Sequence, residues 1–112
     1  MDCIFCKIVA GEIPAKKVME GDHVIAFHDI DPKAPAHILV IPKKHIASLA
    51  HIEPSDEPLL GKLLATAADV AREQGLNRGY RLVISTGPEG GQTVDHLHVH
   101  LLGGRQMHWP PG

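Results

Sequence analysis

Three histidines alternate with two apolar residues in His96-Leu97-His98-Val99-His100, and this spacing constrains the fold more than any other feature of the chain. In a β-strand, residues i, i+2 and i+4 share a face. The three imidazoles therefore line one side of a strand predicted over 94–102, while Leu97, Val99 and Leu101 enter the core on the other. A helix would scatter them.

Other elements gather around that strand. Residues 18–20 and 23–28 read as a hairpin turned near Gly21-Asp22. Asp29 to Pro35 is turn chemistry, followed by a continuous apolar run over 37–41 that predicts a buried strand stopped by Pro42. A further strand is predicted over 80–85. The long helix opens on Ser55-Asp56-Glu57-Pro58, which supplies an N-cap, two acids and a first-turn proline. Leu59, Leu60, Leu63, Leu64, Ala67, Val70 and Ala71 then recur at helical spacing up to Gly75. A short helix through Ile4, Phe5, Ile8 and Val9, capped by Asp2 and ended by Gly11, precedes them all. The class expected is α+β: an antiparallel sheet of about five strands with one long and one short helix, in a single domain over residues 1–112.

The totals narrow the function. A chain of 112 residues that is 44% apolar suits one globular core. A net charge of −2 gives no general reason to expect nucleic-acid or membrane binding. With no apolar run of membrane-spanning length and no signal-peptide pattern, a cytoplasmic protein is the expectation.

Could the histidines hold one metal ion? Alternate strand residues rise about 6.6 Å, so the outer pair would lie roughly 13 Å apart, too far to converge on one zinc at about 2.0–2.1 Å. The three must divide their labour. Just upstream, Gly90-Gly91-Gln92-Thr93 is either a plain hairpin turn or, beside same-face histidines, a phosphate cradle of backbone, amide and hydroxyl donors. Neutral imidazole is available near pH 7, and one ring nitrogen attacks phosphorus if a carbonyl holds the other N–H. His98, flanked by an imidazole on each side, best fits the nucleophile, and His100 fits a donor to phosphoryl oxygens.

Two features stand apart. Cys3 and Cys6 form a single C-x-x-C, open to metal binding, redox chemistry or simple burial, although no strand precedes it as in a redox unit. The tail from Gly103 carries the sole tryptophan, Trp109, beside Pro110-Pro111; it either frays or docks against a second subunit.

The chain resembles the histidine-triad (HIT) family, and within it the nucleoside phosphoramidase branch. The family motif of three histidines alternating with apolar residues and closing on two more is met by His96 to Leu102. The likeness continues through Ile4-Phe5-Cys6-Lys7-Ile8, Ala26 to Ile30, Leu39 to His45 and Gly91-Gln92-Thr93, and ends in Trp109-Pro110-Pro111-Gly112. It implies a homodimer with one continuous sheet, and hydrolysis of the P–N bond in purine nucleoside 5′-phosphoramidates through a nucleotidyl intermediate on His98. It also places Ile4, Phe5, Ile8, Ile13, Phe27 and Ile30 around an AMP- or GMP-type base, and Asp29 on the ribose hydroxyls. From the residues alone, the apolar set reads as core and Asp29 equally as a turn cap. Gln92, Thr93 and His100 match phosphate contacts alongside Gly91, and Trp109 would reach the partner's site. Ser85 stands where this branch usually has Asn, and Asp95 where Tyr is common. Bacterial members also imply a structural zinc on Cys3, Cys6, His45 and His96, with no catalytic metal. Alternatives are a dinucleoside polyphosphate hydrolase or nucleotidyl transferase of the same superfamily, a nucleotide-binding scaffold with incidental activity, and a zinc hydrolase, which the reach argument disfavours.

Overall fold

Five strands form one antiparallel sheet in the computed structural model, which describes residues 3–112. They are β1 (Lys17–Glu20), β2 (Val24–His28), β3 (Ala36–Pro42), β4 (Tyr80–Val83) and β5 (Val99–Gly103), in the spatial order β1-β2-β3-β5-β4. The short helix α1 (Ile4–Val9) precedes the sheet, and the long helix α2 (Glu57–Glu73) crosses between β3 and β4. The α+β class and the pairing of one long with one short helix are as the sequence predicts. Two 3-10 turns, Leu49–His51 and Pro54–Asp56, were not anticipated.

Both faces of the sheet are covered. Val24, Ala26, Ile38, Val40, Val99 and Leu101 share one core with Leu63, Ala67, Val70 and Ala71 of α2. On the opposite face Ile25, Phe27, Leu39 and Ile41 pack with Phe5 and Ile8 of α1. Burial on both sides is why β3 reads as an unbroken apolar run rather than an alternation. Pairing of Phe27 with Leu39, and of Leu39 with His100, puts these three on the α1 face, and His37 joins them two residues before Leu39.

Four local expectations need correction. The ladder of β5 begins at Val99, not at 94, because Leu97 N–H bonds the Ile46 carbonyl at 2.6 Å and draws residues 94–98 under the loop after β3. β4 likewise ends at Val83, short of the predicted 85. Asp56 occupies the α2 N-cap but turns its carboxylate elsewhere, to Glu53 N–H at 2.9 Å and Lys44 Nζ at 2.7 Å. Leu64, predicted within the apolar stripe of α2, is exposed. The proposed cap of α1, Asp2, lies outside the described residues; the N-cap position is held by Cys3, whose Sγ accepts from Cys6 N–H at 3.3 Å.

Candidate functional site

α1 lies over the histidines. Phe5 meets His98 edge-on at a centroid distance of 5.2 Å and His96 at 5.8 Å. His96 is fully buried and His98 nearly so, 0% and 4% exposed. The same-face surface expected from a regular strand is therefore an interior wall, and only His100 belongs to the β5 ladder.

Hydrogen bonds fix how each ring is protonated. His98 Nδ1 lies 2.6 Å from the His96 carbonyl, which can only accept, so Nδ1 carries the proton. Neutral His98 is left with a lone pair on Nε2. His37 Nδ1 accepts from Lys33 N–H at 3.0 Å, so its proton is on Nε2, 2.9 Å from His100 Nδ1. That bond forces the His100 proton onto Nε2, where it is a donor. Burial, then the neighbouring His98 and His37, push the His100 pKa down to about 4 against the pull of Asp29. Burial also holds His37 below the ordinary imidazole value, so at neutral pH it is a neutral relay and no ion-pair partner of Asp29, 3.4 Å away.

These rings border an open cleft of about 620 Å³. Ile4, Phe5, Ile8, Ile13, Phe27 and Ile30 line its apolar part, and Asp29, Gly91, Thr93, His98 and His100 its polar part. Ile30 is 98% exposed, an unusual state for an isoleucine that no neighbour covers. Volume and lining suit one small molecule with an apolar end and an anionic end.

A second cluster lies behind Phe5. One ligand atom each from Cys3, Cys6, His45 and His96 falls within 4.8 Å of all the others. His96 Nε2–H donates to the Pro42 carbonyl at 2.8 Å, so its Nδ1 offers a bare lone pair to the cluster. Tetrahedral zinc, at about 2.0–2.1 Å from nitrogen and 2.3 Å from sulfur, has N···N edges of about 3.4 Å and N···S edges of about 3.6 Å. The His45–His96 Nδ1 pair is 3.2 Å apart, and three of the four N···S separations are 3.3, 3.3 and 3.6 Å. The donor set fits zinc in both chemistry and shape. Asp29, His37 and His100 also gather three ligand atoms. There, however, His37 Nε2 is protonated toward His100 and has no lone pair to give.

Residues 10–107 match the HIT domain. The chain belongs to the HIT family. It is 52% identical to a 14 kDa zinc-binding protein of Brassica juncea, covering 99% of this chain and all of that one. It is also 52% identical to the adenylylsulfatase HINT1 of Arabidopsis thaliana, over 97% of this chain and 76% of that one. A crystal structure of a HIT family hydrolase from Legionella pneumophila superposes with a TM-score of 0.97 at 53% identity, covering 99% of this chain and 100% of the other.

Within this HIT chain, not every expected contact reaches the cleft. Ser85, Gln92 and Trp109 lie outside its lining. The Gln92 amide is already engaged: Nε2 donates to the carbonyls of Ala47 (2.8 Å) and Val94 (2.9 Å), and Oε1 accepts from Gly87 N–H (3.0 Å). Gly91 and Gln92 N–H groups likewise bond Pro88 and Gly87 carbonyls within the loop, so they are not free cradle donors. Asp95 is exposed and its charge is solvated. Trp109 is 81% exposed, on a tail held by Arg81 Nη2 donating to the His108 carbonyl at 2.9 Å. The residue missed from sequence is His37, whose only mark is a histidine opening an apolar run; pairing of β3 with β5 makes it a neighbour of His100.

Proposed function

We propose that this HIT protein is a purine nucleoside phosphoramidase that cleaves the P–N bond of nucleoside 5′-phosphoramidates. One observation carries the reading: the His98 Nδ1–H bond to the His96 carbonyl leaves Nε2 as the unbonded ring nitrogen at the cleft. The base enters between Ile4, Phe5, Ile8, Ile13, Phe27 and Ile30, and covers the exposed Ile30. Asp29 accepts from the ribose hydroxyls, and Thr93 beside Gly91 receives the phosphate. His98 Nε2 attacks phosphorus, the P–N bond breaks, and the amine leaves with a proton from solvent. His100 Nε2–H, held in that tautomer by His37, donates to the phosphoryl oxygen as charge builds. Water then attacks phosphorus and gives up a proton to solvent, the P–Nε2 bond breaks with its electron pair returning to Nε2, and the nucleoside monophosphate departs.

Zinc on Cys3, Cys6, His45 and His96 is the metal we assign, supported by the tetrahedral edges and the zinc-binding relative. Four protein ligands leave it no open position, so its contribution is structural. Such a site needs reduced thiols, which accords with two free cysteines and a cytoplasmic setting. Among the described residues no helix is long and apolar enough to cross a membrane. The exposed Trp109 and Tyr80, the latter on the edge strand β4, support a homodimer joined along the sheet.

A second reading, cleavage of adenylyl sulfate, is favoured by the name of the Arabidopsis relative. Adenosine phosphoramidate, adenylyl sulfate and a diadenosine polyphosphate, assayed side by side for AMP release, separate the options. The phosphoramidate should turn over fastest, and His98→Ala should abolish turnover while AMP still binds. Undiminished turnover by His98→Ala would refute the mechanism; faster cleavage of adenylyl sulfate would transfer the assignment to the second reading.

A further inference from the structure

The metal cluster and the cleft are built from the same short pieces of chain. α1 has six residues, far below the roughly 12–15 at which an isolated helix becomes marginal in water. Its position is therefore set by what it is tied to. Cys3 and Cys6 join the cluster, while Phe5 between them presses on His98 and, with Ile4 and Ile8, walls the cleft. His96 is a second joint. Its Nδ1 faces the cluster, its Nε2–H bonds the Pro42 carbonyl, and its own carbonyl holds His98 Nδ1–H. Whatever fixes the His96 ring also fixes the acceptor that selects the His98 tautomer. The third tie runs beside His45, where the Ile46 carbonyl accepts from Leu97 N–H.

We propose that the Cys3–Cys6–His45–His96 metal site is a positioning device for the nucleotide cleft, so that metal occupancy raises nucleotide affinity and nucleotide tightens the metal. This rests on the nucleotide reading above. Such coupling is reciprocal: the factor by which metal raises AMP affinity is the factor by which AMP raises metal affinity. Without metal, α1 keeps its apolar packing on Phe27 and Leu39 but loses the anchors at Cys3 and Cys6, so Phe5 is held less firmly against His98 and the His96 backbone is less constrained. The effect expected is at least about fivefold, the lower end for coupled sites.

Cobalt(II) in place of zinc reports the geometry of an S2N2 site through its absorption bands. Cobalt-loaded protein is titrated with AMP in a calorimeter and, in parallel, in a spectrophotometer. The bands should shift in step with the binding heat, and metal-stripped protein shown to be folded by circular dichroism should bind AMP at least about fivefold more weakly. Bands that stay fixed while calorimetry records binding overturn the coupling, as does equal AMP affinity in folded, stripped protein. If stripping unfolds the chain, the cobalt titration alone decides. Absence of AMP binding to the metal-loaded protein is a different failure and removes the nucleotide reading itself.

Discussion

Replacing His37 with phenylalanine tests the relay behind His100. The ring volume is roughly kept in a site 5% exposed, but two hydrogen bonds vanish, one from Lys33 N–H and one to His100 Nδ1. Leaving each partner unsatisfied costs about 1–3 kcal/mol, and burying a more apolar ring offsets part of that, so a net stability loss of about 2 kcal/mol is expected. Catalysis suffers separately. Removing an oxyanion donor outright costs about 2.7–4 kcal/mol. Here the His100 donor survives but loses its fixed tautomer and orientation, so about half of that is expected, a fall in kcat/KM of roughly 10- to 30-fold. His37→Gln keeps an N–H able to reach His100 and should recover most of the rate. Steady-state AMP release from adenosine phosphoramidate, with both variants compared below their melting transitions, reads the difference. Wild-type kcat/KM in His37→Phe, or an equal loss in both variants, would refute the relay.

Other consequences are as direct. Because the folded-state pKa of His100 is depressed to about 4, the unfolded chain binds its proton first as pH falls below about 6.5. The stability it contributes is present above that value and lost as pH falls toward the folded pKa; Tm of the wild type should therefore drop more steeply between pH 7 and 4.5 than Tm of His100→Gln. At Gly90, a Cβ would overlap the Thr86 carbonyl oxygen and lie 2.8 Å from Thr86 N. Gly90→Ala must therefore displace the 86–92 loop, and a loss of about 1–3 kcal/mol in chemical denaturation is expected; an unchanged midpoint would contradict the packing. Burial pushes the Cys6 thiol above its ordinary value, with Cys3 adding to the shift. Since a zinc ligand must be a thiolate, metal affinity should weaken as pH falls from 8 to 6, measured by chelator competition; a pH-independent affinity would exclude the cysteines as ligands.

Much of this molecule was legible in order along the chain. The hairpin at Gly21-Asp22, the unbroken run that becomes β3, and the apolar stripe of α2 are local patterns, and local sterics and burial suffice to set them. Chemistry was legible where residue type alone restricts the options, as in the histidine run and the cysteine pair. Tertiary structure decided everything that depends on who meets whom. His96 faces the cysteines rather than the cleft because residues 94–98 leave the sheet, held by the bond from Leu97 N–H to the Ile46 carbonyl. The Gln92 amide is held within the loop by carbonyls 45 and 2 residues away in the chain. His37 acquires its place from the β3–β5 register, which no window of sequence contains. A local pattern encodes a backbone path and which face is apolar. Protonation, ligation and orientation are properties of neighbours, and neighbours are supplied by the fold.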